Sequence, residues 1–314
     1  MSERGRSMSA TALGPELRFD RPVQIRAGLI AAAFVGLFWH LLDFIPPDLG
    51  TVSHRWIHEL DWSHGPIIPL FSAYLVYLRW DQIKHAPVRH TWVGLLIMLA
   101  SLAIYQWSLW GVRIGIIRPL AMMSCLFGVI VWLRGLPVMR YAWVSWVYLF
   151  FAIPLPKRIY FELTDPLRRI AAVVATSVLG LFDDLIIERV GSVIEFIYKG
   201  VPGSIGVADA CSGMRSTITL CAIGVAVAFI SDRAWWQRVV MIAACVPIAV
   251  FCNFIRVTTT CWLHIFVGPE YAEGTPHTAM GLLVFLLAFG IFSALGWVLS
   301  NLTVDDPYPE PGVQ

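Results

Sequence analysis

Apolar and polar stretches alternate along this chain on the length scale of a lipid bilayer. The apolar runs cover residues 23–45, 65–78, 92–110, 116–133, 136–153, 215–230, 239–266 and 278–299. A helix rises ~1.5 Å per residue and the hydrocarbon core is ~30 Å thick, so runs near 20 residues read as membrane spans. The pattern predicts an all-α integral membrane protein, a multi-pass bundle of about eight transmembrane helices. Turn and capping residues mark several ends. Pro46-Pro47 close the first run and Pro154-Leu155-Pro156 the fifth, while Ser63 and Pro66 suit the N-cap and first turn of the second.

Residues 154–210 break the pattern, as an outer segment between spans five and six. Asp165-Pro166-Leu167 opens a helical period that ends at Asp183-Asp184 and Glu188, too charged for a clean span. This predicts an interfacial or re-entrant amphipathic helix over about 170–187. Residues 190–207 read as short extended pieces broken by Gly191, Gly200, Pro202 and Gly203. Three regions follow: a polar cytoplasmic tail over 1–22, one polytopic catalytic domain over 23–300, and a short acidic tail over 301–314. No cleavable signal peptide, second soluble domain or internal repeat is expected.

Composition agrees with the pattern. Of 314 residues 58% are hydrophobic and 14% charged, with a mean hydropathy of +0.70. Many of the 14 tryptophans flank the apolar runs, as interfacial anchors do. A net charge of +2 without a basic tract argues against a nucleic-acid partner. Arginine and lysine fall before and at the start of span one, between spans two and three, and around 134–140 and 233–238, with only Arg55, Arg113 and Arg118 in the short loops between. Lys157, Arg158, Arg168, Arg169, Arg189 and Lys199 of 154–210 count against the asymmetry if that segment lies outside. The asymmetry predicts a cytoplasmic N-terminus and outward-facing 46–64 and 268–277 loops. Six cysteines show neither CxxC nor zinc spacing, and five fall inside spans as small core residues.

The sixth, Cys211, sits in Val207-Ala208-Asp209-Ala210-Cys211-Ser212-Gly213-Met214-Arg215-Ser216, where a polar segment meets an apolar run. Unpaired amides at a helix start favour a thiolate there, and Arg215 lies one turn along the same face. A packing cysteine at a helix end fits the same position. Arg256, in Asn253-Phe254-Ile255-Arg256, lies inside a span, where a charge costs from ~2.5 kcal/mol upward and must face the bundle interior. It suits an oxyanion or a thiolate, or a structural role bonded to Asn253 and backbone carbonyls. His277 follows Thr275-Pro276, a fair N-cap and first-turn pair, and a helix N-terminus keeps an imidazole neutral and able to accept a proton. Taken alone it reads first as an ordinary interfacial histidine. Asp209 can orient a base or simply make a turn. Two crossings separate Cys211 from His277, which puts them on one side of the membrane, with Arg256 in the half of its span nearest that side.

Together these pieces resemble the exosortase/archaeosortase family of membrane cysteine transpeptidases. Asp61-Trp62-Ser63-His64-Gly65 with Pro69 is similar to the family's early motif. Ala210-Cys211-Ser212-Gly213-Met214-Arg215-Ser216 is similar to its nucleophile motif, Asn253-Phe254-Ile255-Arg256 to its arginine motif, and His277 with Gly281 to its histidine motif. The resemblance implies catalysis by Cys211, Arg256 and His277 in an outward-facing site of a bacterial inner membrane, supported by Arg215, Asn253 and Asp209. It implies partners that are exported proteins ending in a Pro-Glu-Pro-like motif, a transmembrane helix and a basic cluster, with a lipid or other amine, or water, as acceptor. Such chemistry calls for no metal and no organic cofactor. Two other readings use the same residues: a transporter with Arg256 lining an anion pathway, and a thiol-dependent membrane acyltransferase.

Overall fold

The structure, a computed structural model, describes residues 21–42, 51–110, 115–207, 213–230, 233–272 and 274–302. It divides into two compact units, residues 1–154 and 155–314.

The first unit is helical throughout its described residues. Helix α1 (Arg21–Leu37) breaks before α2 (Trp39–Leu42) at Phe38, so the expected first span is not one unbroken helix, and residues 43–50 lie outside the described set. Phe38 is fully buried, edge-on to Tyr105 at 4.7 Å, and this contact anchors the break against Ala121 and Cys125. Helix α3 (Val52–His58) is capped by Thr51, whose hydroxyl accepts from His54 N–H. A 3-10 turn (Leu60–Trp62) leads to α4 (Ile67–Leu78). Ser63 does not cap α4: the N-cap position is Pro66, with no side-chain bond, and residues 63–66 form a turn. Helices α5 (Trp80–His85), α6 (Trp92–Trp110), α7 (Ile117–Arg134) and α8 (Leu136–Tyr148) complete the unit, α8 continuing as 3-10 to Ala152.

Lipid offers no hydrogen bonds, so the polar groups of these helices bond one another. Ser72 Oγ donates to Ser145 O at 2.8 Å, joining α4 to α8, and Trp146 Nε1 donates to Met123 O at 2.9 Å, joining α8 to α7. Helices α6 and α7 touch backbone to backbone. A Cβ on Gly128 would stand 2.7 Å from Met98 N and 2.9 Å from Gly94 O, and one on Gly94 would overlap Trp132 N. Glycines permit this approach, the usual source of helix attraction in lipid. Trp92 and Trp110, 78% and 84% exposed, bracket α6 as interfacial anchors.

The second unit opens with α9 (Lys157–Leu179). It starts eight residues before Asp165, and Pro166 lies inside it rather than at its head. The donor that proline lacks falls on the exposed face, where Glu162 O loses only a solvated partner. The opposite face buries Ala171, Ala172, Ala175 and Leu179, so the helix is amphipathic as expected but ends before 180. Residues 185–206 form a three-stranded antiparallel sheet, β1 (Leu185–Val190), β2 (Val193–Tyr198) and β3 (Val201–Gly206), in order β1-β2-β3. Gly191 (φ 68°) and Gly200 (φ 77°) make the turns, as their left-handed backbone requires. Pro202 and Gly203, expected as breakers, lie within β3 instead, because an edge strand tolerates a proline whose nitrogen faces away from its neighbour.

Helices α10 (Gly213–Ile230), α11 (Trp235–Phe266) and α12 (Gly274–Leu302) follow. The sheet's inner face (Leu185, Ile194, Ile205) packs with α9 onto Val257, Cys261 and Ile265 of α11. At 32 residues, α11 is ~48 Å long, more than the hydrocarbon core needs. Near its start Arg233 Nη1 and Gln237 Nε2 donate to Gly296 O and Leu299 O, satisfying carbonyls in the last turns of α12. Thr275 does not cap α12, since the helix already begins at Gly274 (φ 61°) and Thr275, Pro276 and His277 occupy its first turn.

By length and apolarity four described helices can cross a membrane: α6, α7, α11 and α12. A fifth counts only if 136–152 and 157–179 are taken together as one broken span. The chain is thus a multi-pass membrane protein. Eight spans would also need the shorter apolar helices at Ile25–Leu37, Ile67–Leu78 and Thr217–Ile230. The cysteines of the described spans are free thiols, and Cys125, Cys245, Cys252 and Cys261 are buried, as core residues should be.

Candidate active site

Helices α10, α11 and α12 converge in layers. A Cβ on Gly224 of α10 would overlap Cys245 Sγ of α11 and stand 3.4 Å from the Phe292 ring of α12. In the adjacent layer Leu220 meets Ala249 and Cys252, Val284 and Ala288. Each step toward the start of α10 moves up α11 and back along α12. The following layer therefore holds Arg256 on α11, the first turns of α12, and the N-terminal end of α10, which begins at Gly213.

In that layer Arg256 Nη2 meets His277 Nε2 at 2.9 Å. The bond fixes more than proximity. Guanidinium has only donors, so Nε2 must accept, and the ring is neutral with its proton on Nδ1. Arginine in the span thus takes its bond from an imidazole on the neighbouring helix. Gly281, one turn beyond His277, leaves space for the guanidinium: a Cβ there would stand 3.4 Å from Nη2 and 3.5 Å from Cζ. The next helix turn of α12 therefore presents no side chain against the ion.

Asn253, the partner that a purely structural role for Arg256 would use, is buried at 6% exposure, yet its Oδ1 has no hydrogen-bond partner among the described residues. Arg256 Nε and Thr260 Oγ1 are likewise buried and unpartnered there. Residues 253, 256 and 260 share one face of α11, so a buried stripe with unused hydrogen-bonding capacity runs past the Arg256–His277 contact. Thr260 was not anticipated from the sequence; its spacing of four from Arg256 was the available signal.

Cys211 and Asp209 lie outside the described residues, as does the side chain of Arg215, whose backbone belongs to the first turn of α10. His64 belongs to the first unit, beside Trp62 at 5.9 Å between ring centroids. Around it Trp56 packs over Gly65 and donates Nε1–H to Ala152 O at 2.8 Å, while Arg55 bonds Glu59 and lies over the Trp62 ring. The early motif therefore builds a packed cap within its own unit. Among the described residues no three His, Cys, Asp or Glu side chains gather as metal ligands would.

A family model described as transmembrane exosortase matches residues 56–294, a stretch that includes the early cap, the sheet, Arg256 and His277. No curated protein and no solved structure matched the chain. The match covers well over half of the 314 residues, and with the membrane helices it identifies the chain as a member of the transmembrane exosortase family, whose role is membrane transpeptidation and protein sorting.

Proposed function

We propose that this protein is a cysteine endopeptidase or transpeptidase of the bacterial inner membrane. It cleaves the C-terminal sorting signal of exported proteins at an outward-facing site. Cys211 is the nucleophile, Arg256 the oxyanion donor and His277 the proton carrier, with Arg215, Asn253 and Asp209 in support. The observation that carries the reading is the 2.9 Å contact between Arg256 and His277, in the layer that the start of α10 also reaches.

The chemistry follows from what each group can give. At rest Arg256 occupies Nε2 of a neutral imidazole. A docked substrate carbonyl is attacked by the Cys211 sulfur, and charge builds on its oxygen. A guanidinium donates more strongly to an oxyanion than to a neutral ring nitrogen. Arg256 therefore turns to that oxygen, with its unpartnered Nε as a second donor, and releases Nε2 to take the thiol proton. The imidazolium then protonates the leaving amine as the C–N bond breaks, which leaves a thioester on Cys211. An amine acceptor, lipid or otherwise, or water adds to the thioester carbonyl and gives its proton to His277. As the C–S bond breaks, that proton returns to the thiolate.

Mass spectrometry of a candidate substrate's C-terminus, in cells with and without the protein, tests the reading. Cys211→Ala should abolish processing while the protein still inserts. Cys221→Ala, Cys245→Ala, Cys252→Ala and Cys261→Ala should retain it. Full processing by the Cys211→Ala protein would remove the nucleophile assignment.

A further inference from the structure

Strand β3 is an edge strand leading straight into the segment that carries Cys211, and its backbone is only half used. The turn between β2 and β3, Lys199-Gly200, has φ of 49° and 77°, the doubly left-handed geometry of a type I′ hairpin. Tyr198 and Val201 then flank it as a hydrogen-bonded pair, and bonded pairs recur at every second residue. In that phase lie Phe196 with Gly203 and Ile194 with Ile205. The next step is observed, since Val207 N–H donates to Ser192 O at 3.0 Å. The opposite phase, Pro202, Ser204 and Gly206, therefore points its backbone away from β2. Among the described residues no strand pairs on that side.

Unguarded edges recruit extended chains, and proteins blunt them with charges, bulges or covering elements. β3, Val-Pro-Gly-Ser-Ile-Gly, carries no charge. Its proline falls where an N–H would face outward, so the edge offers the N–H and C=O of Ser204 and Gly206 and the C=O of Pro202. Pro202 and Ser204 are exposed and line an open groove of about 430 Å³ on the sheet's outer face, with Ile186 and Ile197 across from Pro202 and the carboxylates of Glu188 and Glu195 across from Ser204. Cys211 follows Gly206 by five residues, a reach of at most ~17 Å in extended chain.

We propose that the substrate's peptide segment beside the scissile bond binds as an added strand along the free edge of β3. Main-chain bonds to Ser204 and Gly206 give affinity, and the groove receives alternate side chains. The proposal rests on the assignment of Cys211 as nucleophile, because that is what makes an edge leading to residue 211 a substrate track.

The test uses the full chain in detergent and a synthetic peptide carrying a Pro-Glu-Pro-type motif with its following hydrophobic segment, with cleavage read by mass spectrometry. Ser204→Pro removes one outward N–H while sparing the bonds to β2, and should raise KM for the peptide at least tenfold. Ser204→Thr keeps the N–H and changes only the groove wall, so it should recover most of the affinity that Ser204→Pro loses. Alkylation of Cys211 by iodoacetamide should proceed at the parent rate in both variants. A second arm needs no variant protein: peptides N-methylated one amide at a time should lose affinity at every second position. Unchanged KM in Ser204→Pro, equal impairment in Ser204→Thr, or an N-methyl scan without period two would overturn strand addition. So would a change confined to oligomeric state, which would give the edge to a second copy of the chain. Failure of the nucleophile assignment reads out separately, as peptide cleavage by Cys211→Ala.

Discussion

Arg256 and His277 meet part of each other's hydrogen-bonding capacity across two helices. The imidazole must stay neutral to accept from Nη2, and the guanidinium, buried in a span, needs an acceptor that lipid does not supply. The two residues should therefore fail together. Arg256→Lys keeps the charge but loses the planar fork, and losing an oxyanion donor typically costs roughly a hundredfold to a thousandfold in rate. His277→Ala removes proton transfer, a loss of about a hundredfold to ten-thousandfold, and should flatten the pH–rate profile near neutrality. In the double variant the loss should fall well short of the product of the two, because each single change already breaks the shared bond. Strict multiplicativity in single-turnover rates would show that the contact has no part in turnover. Arg256 stood out in the sequence as a charge inside an apolar run, and His277 as a polar residue just ahead of another. Their mutual bond did not, since nothing along the chain says which neighbour an arginine chooses. Asn253, the partner of the structural reading, keeps an oxygen without a hydrogen bond among the described residues.

Elements were legible in proportion to how simply they meet lipid. Runs 92–110 and 116–133 became α6 and α7 almost residue for residue, because an uninterrupted apolar stretch has one way to satisfy its backbone in a bilayer. Segment 154–210 serves two environments, and there local rules misled. Pro166 was taken for a helix start and Pro202 for a breaker, whereas packing of α9 against α11 and the outer edge of β3 absorb both. Nor could sequence show how closely α6 and α7 approach. Gly128→Ala puts a methyl 2.7 Å from Met98 N, where only backbone movement can relieve it. Overpacking of this kind costs about 1–3 kcal/mol, so the variant should unfold at lower temperature in detergent. Gly290→Ala, whose new methyl meets nothing within 4 Å, should leave the transition in place. Equal stability of both variants would mean that the helices do not depend on this crossing.

At the scale of the whole molecule, the proposed chemistry requires the Arg256–His277 layer to face away from the cytoplasm. Reporter fusions should then place the N-terminus, the 79–90 loop and the C-terminal tail inside, and the 268–277 loop outside. A cytoplasmic 268–277 loop would put the site on the wrong side for exported substrates. The Arg256–His277 bond also bears on how the chain is made. Synthesis delivers α11 before α12, so Arg256 leaves the ribosome ahead of its acceptor. An arginine at mid-helix offsets the insertion preference of roughly five or more aliphatic residues. Until α12 follows it out, α11 carries a guanidinium with no imidazole to meet, and it should slip or linger beside the insertion machinery. Arrival of the first turn of α12 supplies the missing acceptor, so α11 and α12 should enter the bilayer as one hairpin, with the pair formed only once both helices have left the ribosome.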